Sequence, residues 1–343
     1  MHVVILGGTG FIGSALARAL LARGDTVTIP SRAPRNTGVH GITHATWNGR
    51  DPEQLAHLLG GAHAVVNLLG ENIAGGRWTP ERKARIVDSR VAAGQAVAAA
   101  LGSLNGAGTA HGAHGTSEVN GLAGLDGLDG LDGSGGLAAS ALPSVLVQAS
   151  AVGYYGGWPD MAAAPRCGEG DLPGTGFLAD TCARWEASSA PAEAMGVRRC
   201  VIRSGVVLGA GGALERMLPA FRAWLGGPLG SGRQPFPWIH LADEVGAIVH
   251  LLDSPACSGA YNLAAPQAVD NAGFTAELNR AVGRPHWLPA PPVPAFALRL
   301  ALGELADEAL LAGQITPPGR LADSGYAFRF PTLRKALADL AAA

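Results

Sequence analysis

A glycine-rich segment near the N-terminus, Gly7–Gly13, has the residue types and spacing of a phosphate-binding turn. Its sequence, GGTGFIG, follows the apolar run HVVIL and precedes a segment with apolar residues at helical spacing. Glycines permit a tight turn and a close approach of the backbone to a pyrophosphate, whose charge the first N–H groups of a helix bind. Because 50 of the 343 residues are glycine, such spacing arises by chance roughly once in this chain. The flanking strand and helix favour dinucleotide binding over a purely structural turn.

The end of the second apolar run indicates which dinucleotide would bind. An NAD site usually has an acidic side chain about 20 residues beyond the glycine turn, where it binds the ribose 2′-hydroxyl. Here the run TVTIPSR ends in Ser31 and Arg32 instead. A guanidinium can bind a 2′-phosphate through paired, charge-assisted hydrogen bonds. The sequence therefore predicts NADP, the alternative for Arg32 being a solvated surface arginine.

Two adjacent tyrosines, Tyr154 and Tyr155, follow the apolar run SVLVQAS in a chain that has only four tyrosines. A phenol at a strand end can act as a general acid or base when a nearby cation lowers its pKa. The two lysines, Lys83 and Lys335, lie in other segments, and an unassisted phenol with a pKa of about 10 is a poor base at neutral pH. An active-site role and aromatic packing both remain open from these residues alone.

The elements around these residues alternate between strands and helices. The runs HVVILGG, TVTIPSR, HAVVNLLG, SVLVQAS and RRCVIRSGVVLG predict strands, and the segments between them show helical spacing of apolar residues. The longest predicted helix begins at Thr79-Pro80 and runs to about residue 101. This alternation predicts an α/β fold, a Rossmann-type doubly wound parallel sheet with helices on both faces.

Two regions depart from this alternation. Residues 103–141 include a tandem Leu-Asp-Gly repeat in a tract with few β-branched or aromatic side chains. Such a tract buries little apolar surface, so the prediction is a flexible insertion, with an ion or partner site as the alternative. The chain beyond residue 208 predicts a smaller, mainly helical substrate lobe. We expect 1–208 to be the NADP-binding domain and 209–343 the lobe, with 238–265 returning to the first domain.

The composition excludes several classes of partner. The formal net charge is −2 and the pI is near 6.5, which gives no electrostatic footprint for nucleic acid or a membrane surface. No apolar stretch approaches the length of a membrane span, and the N-terminus does not resemble a signal peptide. The four cysteines and ten histidines show no metal-ligand spacing. We expect a cytoplasmic protein, a monomer or homodimer, that acts on a small molecule and binds no metal.

The assembled motifs resemble the extended short-chain dehydrogenase/reductases, which include the sugar-nucleotide epimerases. The chain is most similar to their atypical subgroup of epimerase-like, NAD(P)-dependent oxidoreductases. The resemblance rests on ILGGTGFIGSAL, VTIPSR, VVNLLGENIAGGRW, IVDSRV, SAVGYYG, VIRSGVVLGAGGAL and GSGRQPFPWIHLADEV, in this order. It covers nearly the whole chain apart from the Leu-Asp-Gly insertion.

The resemblance implies a set of cofactor-binding positions. In this sequence the pyrophosphate would lie against the glycine turn, the 2′-phosphate against the end of the second strand, and the rest of the cofactor against three further segments. The implied residues are Gly7, Thr9, Gly10, Phe11 and Ile12; Ser31 and Arg32; Leu68, Leu69 and Gly70; Arg90; and Val207 beside the nicotinamide. From its position alone, Arg90 could also be a surface residue of the long helix.

The resemblance also implies a catalytic set that this sequence lacks. Typical members use a serine, a tyrosine and a lysine four residues after the tyrosine. Aligned on the family's motifs, these positions hold Ala151, Leu178 and Cys182, with Ser150 adjacent to the first. Tyr155 matches a tyrosine that lies near the nicotinamide without donating the proton, so a pocket wall and a substitute proton donor both remain open.

Other residues could contact a substrate at the carboxyl edge of the sheet or at the joint with the lobe. We name Glu71, Tyr154, Gln234 and His240 as candidates, and His240 could titrate near neutrality. Asp243 is expected to cap the following helix. Two functions follow from these observations. The first is an NADP-dependent oxidoreductase or epimerase-like enzyme acting on a small polar metabolite. The second is a non-catalytic NADP(H)-binding or redox-sensing module.

Overall fold

A seven-stranded parallel sheet forms the centre of the protein. The structure is a computed structural model that describes residues 1–33, 40–112, 142–285, 287–288 and 290–342. The strands are β1 (His2–Leu6), β2 (Thr26–Ser31), β3 (Ile42–Thr46), β4 (Ala64–Asn67), β5 (Val145–Ala151), β6 (Arg198–Ser204) and β9 (Gly259–Leu263), in the order β3-β2-β1-β4-β5-β6-β9. All neighbouring pairs are parallel. This is the doubly wound arrangement that the sequence predicts.

Helices cover both faces of the sheet because successive strand residues point to opposite sides. Val3 and Ile5 belong to one apolar core, and Val4 and Leu6 belong to the other. Helices α1 (Phe11–Ala22) and α7 (Leu241–Asp253) cover the first face. Helices α2 (Pro52–Leu59) and α3 (Pro80–Gly112) cover the second. Buried strands of a parallel sheet are apolar on both sides, which explains their nearly continuous apolar runs.

The remaining elements complete the sheet's second face and build a mainly helical C-terminal region. They are α4 (Phe177–Ser188), α5 (Pro191–Ala194), β7 (Val206–Gly209), α6 (Gly212–Arg222), β8 (Trp238–His240), α8 (Asn271–Ala281), α9 (Ala295–Leu302), α10 (Gly319–Asp323) and α11 (Leu333–Ala342). Strands β7 and β8 form a separate two-stranded parallel sheet. A third apolar core joins these strands to α6, α8 and α11. The predicted fold class is confirmed, whereas the domain boundary at residue 208 stays a prediction.

The predicted strand RRCVIRSGVVLG is two strands in two sheets. The break falls at Gly205, whose N–H donates to Leu263 O at 2.9 Å while the next residue bonds to Pro237 O at 2.8 Å. A Cβ at Gly205 would lie 3.0 Å from Pro237 O. The close crossing of the two backbones therefore requires glycine here, and the chain leaves the main sheet immediately after β6.

Strand β3 and helix α3 also differ from the sequence predictions. The edge strand β3 was not predicted, because ITHAT carries two threonines and a histidine and is not an apolar run. Helix α3 runs to Gly112, so the first ten residues of the predicted insertion, 103–112, are helical. The rest of that prediction, 113–141, lies outside the described residues. Within the part of the chain that the structure describes, no helix is both long and apolar enough to span a membrane.

Candidate functional site

In the turn between β1 and α1, the glycine positions leave little room for a side chain. Gly7 has a φ of +82°, and a Cβ there would lie 3.1 Å from the backbone of Leu68. A Cβ at Gly13 would lie 2.3 Å from Gly7 O. Gly10, the N-cap of α1, provides no side-chain hydrogen bond to the helix. The first N–H groups of a helix have no acceptor within it, so the turn presents backbone donors and a positive helix end, as an anion requires.

Phe11, predicted to bind the cofactor, uses its ring to hold the turn against the C-terminal region. A Cβ at Gly209, Gly211 or Gly212 would lie 2.8, 2.9 or 3.0 Å, respectively, from an atom of this ring. Only glycines can approach the ring this closely on three sides. The sequence signal for this contact is the segment GAGGA at the end of β7, which the sequence analysis quoted within a motif without predicting a contact with Phe11. Thr9 is exposed beside this turn, and Ile12 packs on the core below it.

Ser31 and Arg32 lie at the carboxyl end of β2, one strand away from the glycine turn. The Ser31 Oγ is buried and has no hydrogen-bond partner among the described residues. Buried hydroxyl groups without partners are rare in folded proteins. Arg32, the next residue, is exposed. An unsatisfied hydroxyl beside an exposed guanidinium fits the oxygens of a ribose 2′-phosphate.

Arg90 reaches from α3 to the end of β4, so it is not a surface residue of the helix. Its Nη1 donates to Glu71 O at 3.0 Å and to Ile86 O at 2.9 Å. A Cβ at Gly70 would lie 3.0 Å from the Arg90 Cζ. Burial lowers the pKa of the Arg90 guanidinium, with smaller opposite effects from Cys182 and Glu71. The structure therefore brings Arg90 together with the predicted strand-end residues.

The strand end itself is held by buried amides. Asn67 is fully buried, and its Nδ2 donates to Gln148 Oε1 at 3.0 Å. Asn67 Oδ1 accepts from Leu69 N at 3.3 Å. Leu68 and Leu69 pack against the cores on the two opposite faces of the sheet. Val207 lies in β7, where it pairs with Ile239 and packs against the first core.

Tyr155 is a buried packing residue whose hydroxyl both donates and accepts a hydrogen bond. It is 3% exposed. Its hydroxyl donates to Asn262 Oδ1 at 2.7 Å and accepts from Arg203 Nη1 at 2.9 Å. Burial raises the pKa of Tyr155 to about 12, outweighing the effect of Arg203. These contacts favour the structural interpretation over the substitute proton donor.

An ion pair beneath the tyrosines organises the ends of β5 and β6. Arg203 Nε and Nη2 each donate to the Glu186 carboxylate at 2.9 Å. Ser150 Oγ donates to Glu186 Oε1 at 2.7 Å. The Arg203 Cζ lies 3.5 Å from the centre of the Tyr154 ring. Ser150 and Tyr154 are therefore parts of this network, and the arginine at its centre was missed from the sequence. Its signal was a basic residue inside an apolar strand.

The positions of the missing catalytic set hold neutral or apolar groups. Leu178 packs against Gly153. A Cβ added at Gly153 would lie 3.3 Å from the Cβ of Leu178. Burial, and next the charge of Glu186, raise the pKa of Cys182 to about 11, so its thiol is neutral at pH 7. The Arg90 guanidinium acts electrostatically on this thiol. A cation that acts on the family's lysine position is thus an arginine from another helix.

Glu308, in the C-terminal region, caps helix α4, which carries Leu178 and Cys182. The Glu308 carboxylate accepts from Phe177 N and Leu178 N, both at 2.8 Å. A negative charge at a helix N-terminus is favourable because it satisfies free N–H groups and the helix dipole. This contact joins the C-terminal region to helix α4.

Two of the predicted substrate contacts have structural roles instead. Gln234 is 2% exposed, and its Nε2 donates to the carbonyls of Leu229 and Leu310 at 3.0 and 2.8 Å. His240 is 5% exposed, and the centre of its ring lies 3.9 Å from the centre of the Phe330 ring. Burial lowers the pKa of His240 despite the charge of Asp339, so the ring is neutral at pH 7. Neither side chain is placed to meet a substrate.

The predicted cap of α7 was also wrong. His240 caps this helix, since its Nδ1 accepts from Ala242 N at 3.0 Å. Asp243 instead accepts from Arg329 N and Phe330 N at 2.8 and 2.9 Å, and so anchors the C-terminal segment.

Glu71 keeps an accessible carboxylate at the edge of the sheet. Its side chain is 32% exposed, and its Oε1 lies 3.8 Å from Arg82 Nη1 and 3.6 Å from Arg85 Nε. These distances leave the carboxylate loosely paired, and it remains a candidate for contact with a polar substrate.

The strand order and the glycine turn at the carboxyl edge define a Rossmann-type dinucleotide-binding protein. The profile of the NAD dependent epimerase/dehydratase family matches residues 3–264, and the chain belongs to this family. A second profile, described as a domain of unknown function, matches residues 293–340. The predicted resemblance to epimerase-like short-chain dehydrogenase/reductases is thereby confirmed.

Relatives match the chain over its whole length. Epimerase family protein Mb2239 of Mycobacterium bovis is 40% identical over 98% of this chain and 96% of its own. Human epimerase family protein SDR39U1 is 34% identical, with full coverage of both chains. The crystal structure of human SDR39U1, isoform 2, with NADPH superimposes with a TM-score of 0.77 at 31% identity, covering 100% of this chain and 99% of that one.

The Tyr155 hydroxyl offers a direct test of the packing interpretation. Tyr155→Phe should lower the free energy of unfolding by about 1–3 kcal/mol, because it leaves buried polar partners unsatisfied. Turnover of any substrate and NADPH affinity should stay within about twofold of wild type, because the ring is kept. Tyr154→Phe is the matched control, since it keeps the ring under Arg203 and should cost less. Loss of turnover in a stably folded Tyr155→Phe protein would restore the phenol as a proton donor.

Proposed function

We propose that the protein is an NADP-dependent oxidoreductase or epimerase-like enzyme that acts on a small polar metabolite without the Ser-Tyr-Lys set. The observation that carries the proposal is the glycine turn at the carboxyl edge of the sheet, together with Ser31 and Arg32 one strand away. The buried Ser31 hydroxyl has no partner among the described residues, and Arg32 is exposed. The crystal structure of the human relative with NADPH supports the same cofactor. When bound, the nicotinamide would accept or donate the hydride.

The chain's own residues divide the work of holding the cofactor. The backbone of the glycine turn would bind the pyrophosphate, and Ser31 and Arg32 would bind the 2′-phosphate. Leu68, Leu69 and Gly70, backed by Arg90, would line the cofactor beyond β4. Val207 would flank the nicotinamide. The full set in the turn is Gly7, Thr9, Gly10, Phe11 and Ile12.

The substrate would enter between the carboxyl edge of the sheet and the C-terminal region. Glu71 is the accessible polar side chain that supports a polar substrate. The four cysteines are free and buried, which fits a reducing compartment such as the cytoplasm. A monomer or a homodimer stays our prediction for the assembly.

The test combines cofactor binding with a substrate panel. We expect NADPH to bind the purified protein and to be consumed with at least one member of a panel of carbonyl compounds and nucleotide-linked sugars. Gly13→Ala is the control, because its Cβ would lie 2.3 Å from Gly7 O and should prevent binding. Tight NADPH binding with no consumption across the panel would contradict the enzyme and favour the non-catalytic module. Absence of NADPH binding would contradict both.

A further inference from the structure

Glu244 is a buried acid beside the end of β6, and it has no role in the site described so far. Glu244, in the first turn of α7, is fully buried, with a relative exposure of 0%. Its Oε1 forms a hydrogen bond with the Ser204 hydroxyl at 2.6 Å. Its Oε2 is buried and has no hydrogen-bond partner in the part of the chain that the structure describes. A carboxyl group is almost never fully buried without a charged partner.

The surroundings of Glu244 keep its carboxyl protonated at neutral pH. Burial raises its pKa to about 8, and the hydrogen bond from Ser204 opposes this effect only in part. Its neighbour Asp243 is bound to backbone N–H groups and to the Tyr326 hydroxyl. Burial, and next Asp243, raise the pKa of Tyr326, so that phenol is neutral as well.

Strands β5 and β7, which pack against α7, carry no charged or titratable side chain. The other elements packed against α7 do carry such groups, yet none of those described pairs with the Glu244 carboxyl. They are Asp243, His250 and Asp253 on α7; His240 on β8; Arg18 and Arg23 on or after α1; Arg198, Arg199, Cys200 and Arg203 on β6; and Tyr326, Arg329 and Asp339 in the C-terminal segment. Arg203, the buried cation among them, points to Glu186 on the other face of the sheet.

Ser204 connects this acid to the edge where the cofactor would bind. It is the last residue of β6 and pairs in register with Ala151, the position of the family's catalytic serine. It is half-buried rather than fully enclosed. Three residues further, the chain reaches Val207. Ligands of such sheets bind at the carboxyl ends of the strands, so the Ser204 hydroxyl lies between the buried acid and that edge.

We propose that Ser204 and Glu244 form the proton relay that replaces the missing tyrosine and lysine. In the reducing direction, the substrate's carbonyl carbon gains a hydride from NADPH, and its oxygen takes the proton of the Ser204 hydroxyl. When the carboxyl is protonated, Glu244 Oε1 donates to Ser204 Oγ instead of accepting from it, which frees the Ser204 hydrogen for the substrate oxygen. The Glu244 carboxyl then passes its proton to Ser204 Oγ across the 2.6 Å contact. The products are an alcohol, NADP⁺ and the Glu244 carboxylate, which regains a proton from water. This proposal rests on the proposed function and names the proton donor of that reaction.

The relay predicts that the oxidation state of the cofactor is linked to a proton. The nicotinamide of NADP⁺ is positively charged, whereas that of NADPH is neutral, so only NADP⁺ should favour the ionised carboxylate. Below about pH 8, NADP⁺ binding should therefore release a proton from Glu244, and NADPH binding should not. The ratio of Kd for NADP⁺ to Kd for NADPH should fall as pH rises from 6 to 8, by about tenfold for each unit by which NADP⁺ lowers the carboxyl's pKa.

Titration calorimetry of NADP⁺ and NADPH against pH tests the relay in the whole protein without a substrate. Both cofactors carry the 2′-phosphate, so the effect of its titration on binding is the same for both and cancels in the ratio of the two Kd values. In Glu244→Gln, an isostere of the protonated acid, the ratio should be independent of pH. In the control Glu53→Gln, at an exposed position on α2, the fall should persist. Thermal unfolding verifies that both variants are folded.

The outcomes separate the two proposals. Failure of both cofactors to bind would overturn the proposed function. Binding with a flat ratio in the wild type, or a ratio that still falls in Glu244→Gln, would overturn the relay and leave the proposed function standing. Once a substrate is known, Ser204→Ala should lower kcat at least tenfold with little change in NADPH affinity. Unchanged kcat would equally overturn the relay.

Discussion

Replacing Arg32 by alanine is expected to weaken NADPH binding by roughly 10- to 100-fold and to change NADH binding little. A hydrogen bond to a charged group contributes about 1.5–3 kcal/mol, and each 1.4 kcal/mol is about a tenfold change in affinity. Arg32 is exposed at the end of β2, beside the Ser31 hydroxyl, which has no hydrogen-bond partner in the described ranges of the chain. The two side chains would meet only the 2′-phosphate, which NADH lacks.

Calorimetric titration of both cofactors against matched variants measures this preference. Ser31→Ala should lose less affinity than Arg32→Ala, because it removes a neutral donor. Arg18→Ala, at an exposed position of α1, controls for the general loss of positive charge and should leave the ratio of the two affinities unchanged. If Arg32→Ala and wild type have the same ratio, Arg32 is a solvated surface arginine and the NADP assignment loses its main support.

Breaking the Arg203–Glu186 pair is expected to give the largest loss of stability among single substitutions at the site. Arg203 is 4% exposed and donates twice to Glu186, once to the Tyr155 hydroxyl and once to Glu169 O. Removing one partner of a buried ion pair costs about 3–5 kcal/mol, because the other charge is left buried and unpaired. Arg203→Met, which keeps much of the volume, should therefore lower the free energy of unfolding by about this amount.

Denaturant unfolding distinguishes this pair from an ordinary surface pair. Arg299 and Asp307 are joined at 2.8 Å with side chains about half exposed, so Arg299→Met should cost less than about 1 kcal/mol. The double variant Arg203→Met, Glu186→Leu should recover part of the loss, because no unpaired charge remains. A loss below about 1 kcal/mol for Arg203→Met would show that the network does not stabilise the fold.

The sequence predicted which residues meet at the carboxyl edge of the sheet better than it predicted the contacts of polar residues such as Gln234 and His240. Residues of the glycine turn, the end of β4 and Arg90 come together because parallel strands all end at one edge. Gln234 and His240 were placed near a substrate on the basis of their position in a motif. Whether a polar side chain faces a cleft or bonds to backbone carbonyls depends on the packing of distant segments, such as Leu310 and Asp339, which no local pattern reveals.

The sequence also did not reveal which polar groups are buried or what they bind. Arg203 and Asn262 lie in strands and Glu244 lies in a helix, and periodicity assigns residues only to such elements. Their partners are 17, 107 and 40 residues away in the chain for the bonds to Glu186, Tyr155 and Ser204. The physical consequences, a neutral Tyr155 and a protonated Glu244, follow from the loss of water around each group.

The tyrosine pair shows where local sequence stops being informative. By itself, the sequence determined the strand–helix alternation and the glycine turn, because backbone geometry and side-chain type decide these locally. The absence of the usual Ser-Tyr-Lys set came from the resemblance to the family. Tertiary structure alone decided that Tyr155 is sealed between Arg203 and Asn262, that His240 caps a helix, and that Glu244 lies beneath Ser204. Burial and partnership are properties of segments brought together by folding, and they set the protonation state on which chemistry depends.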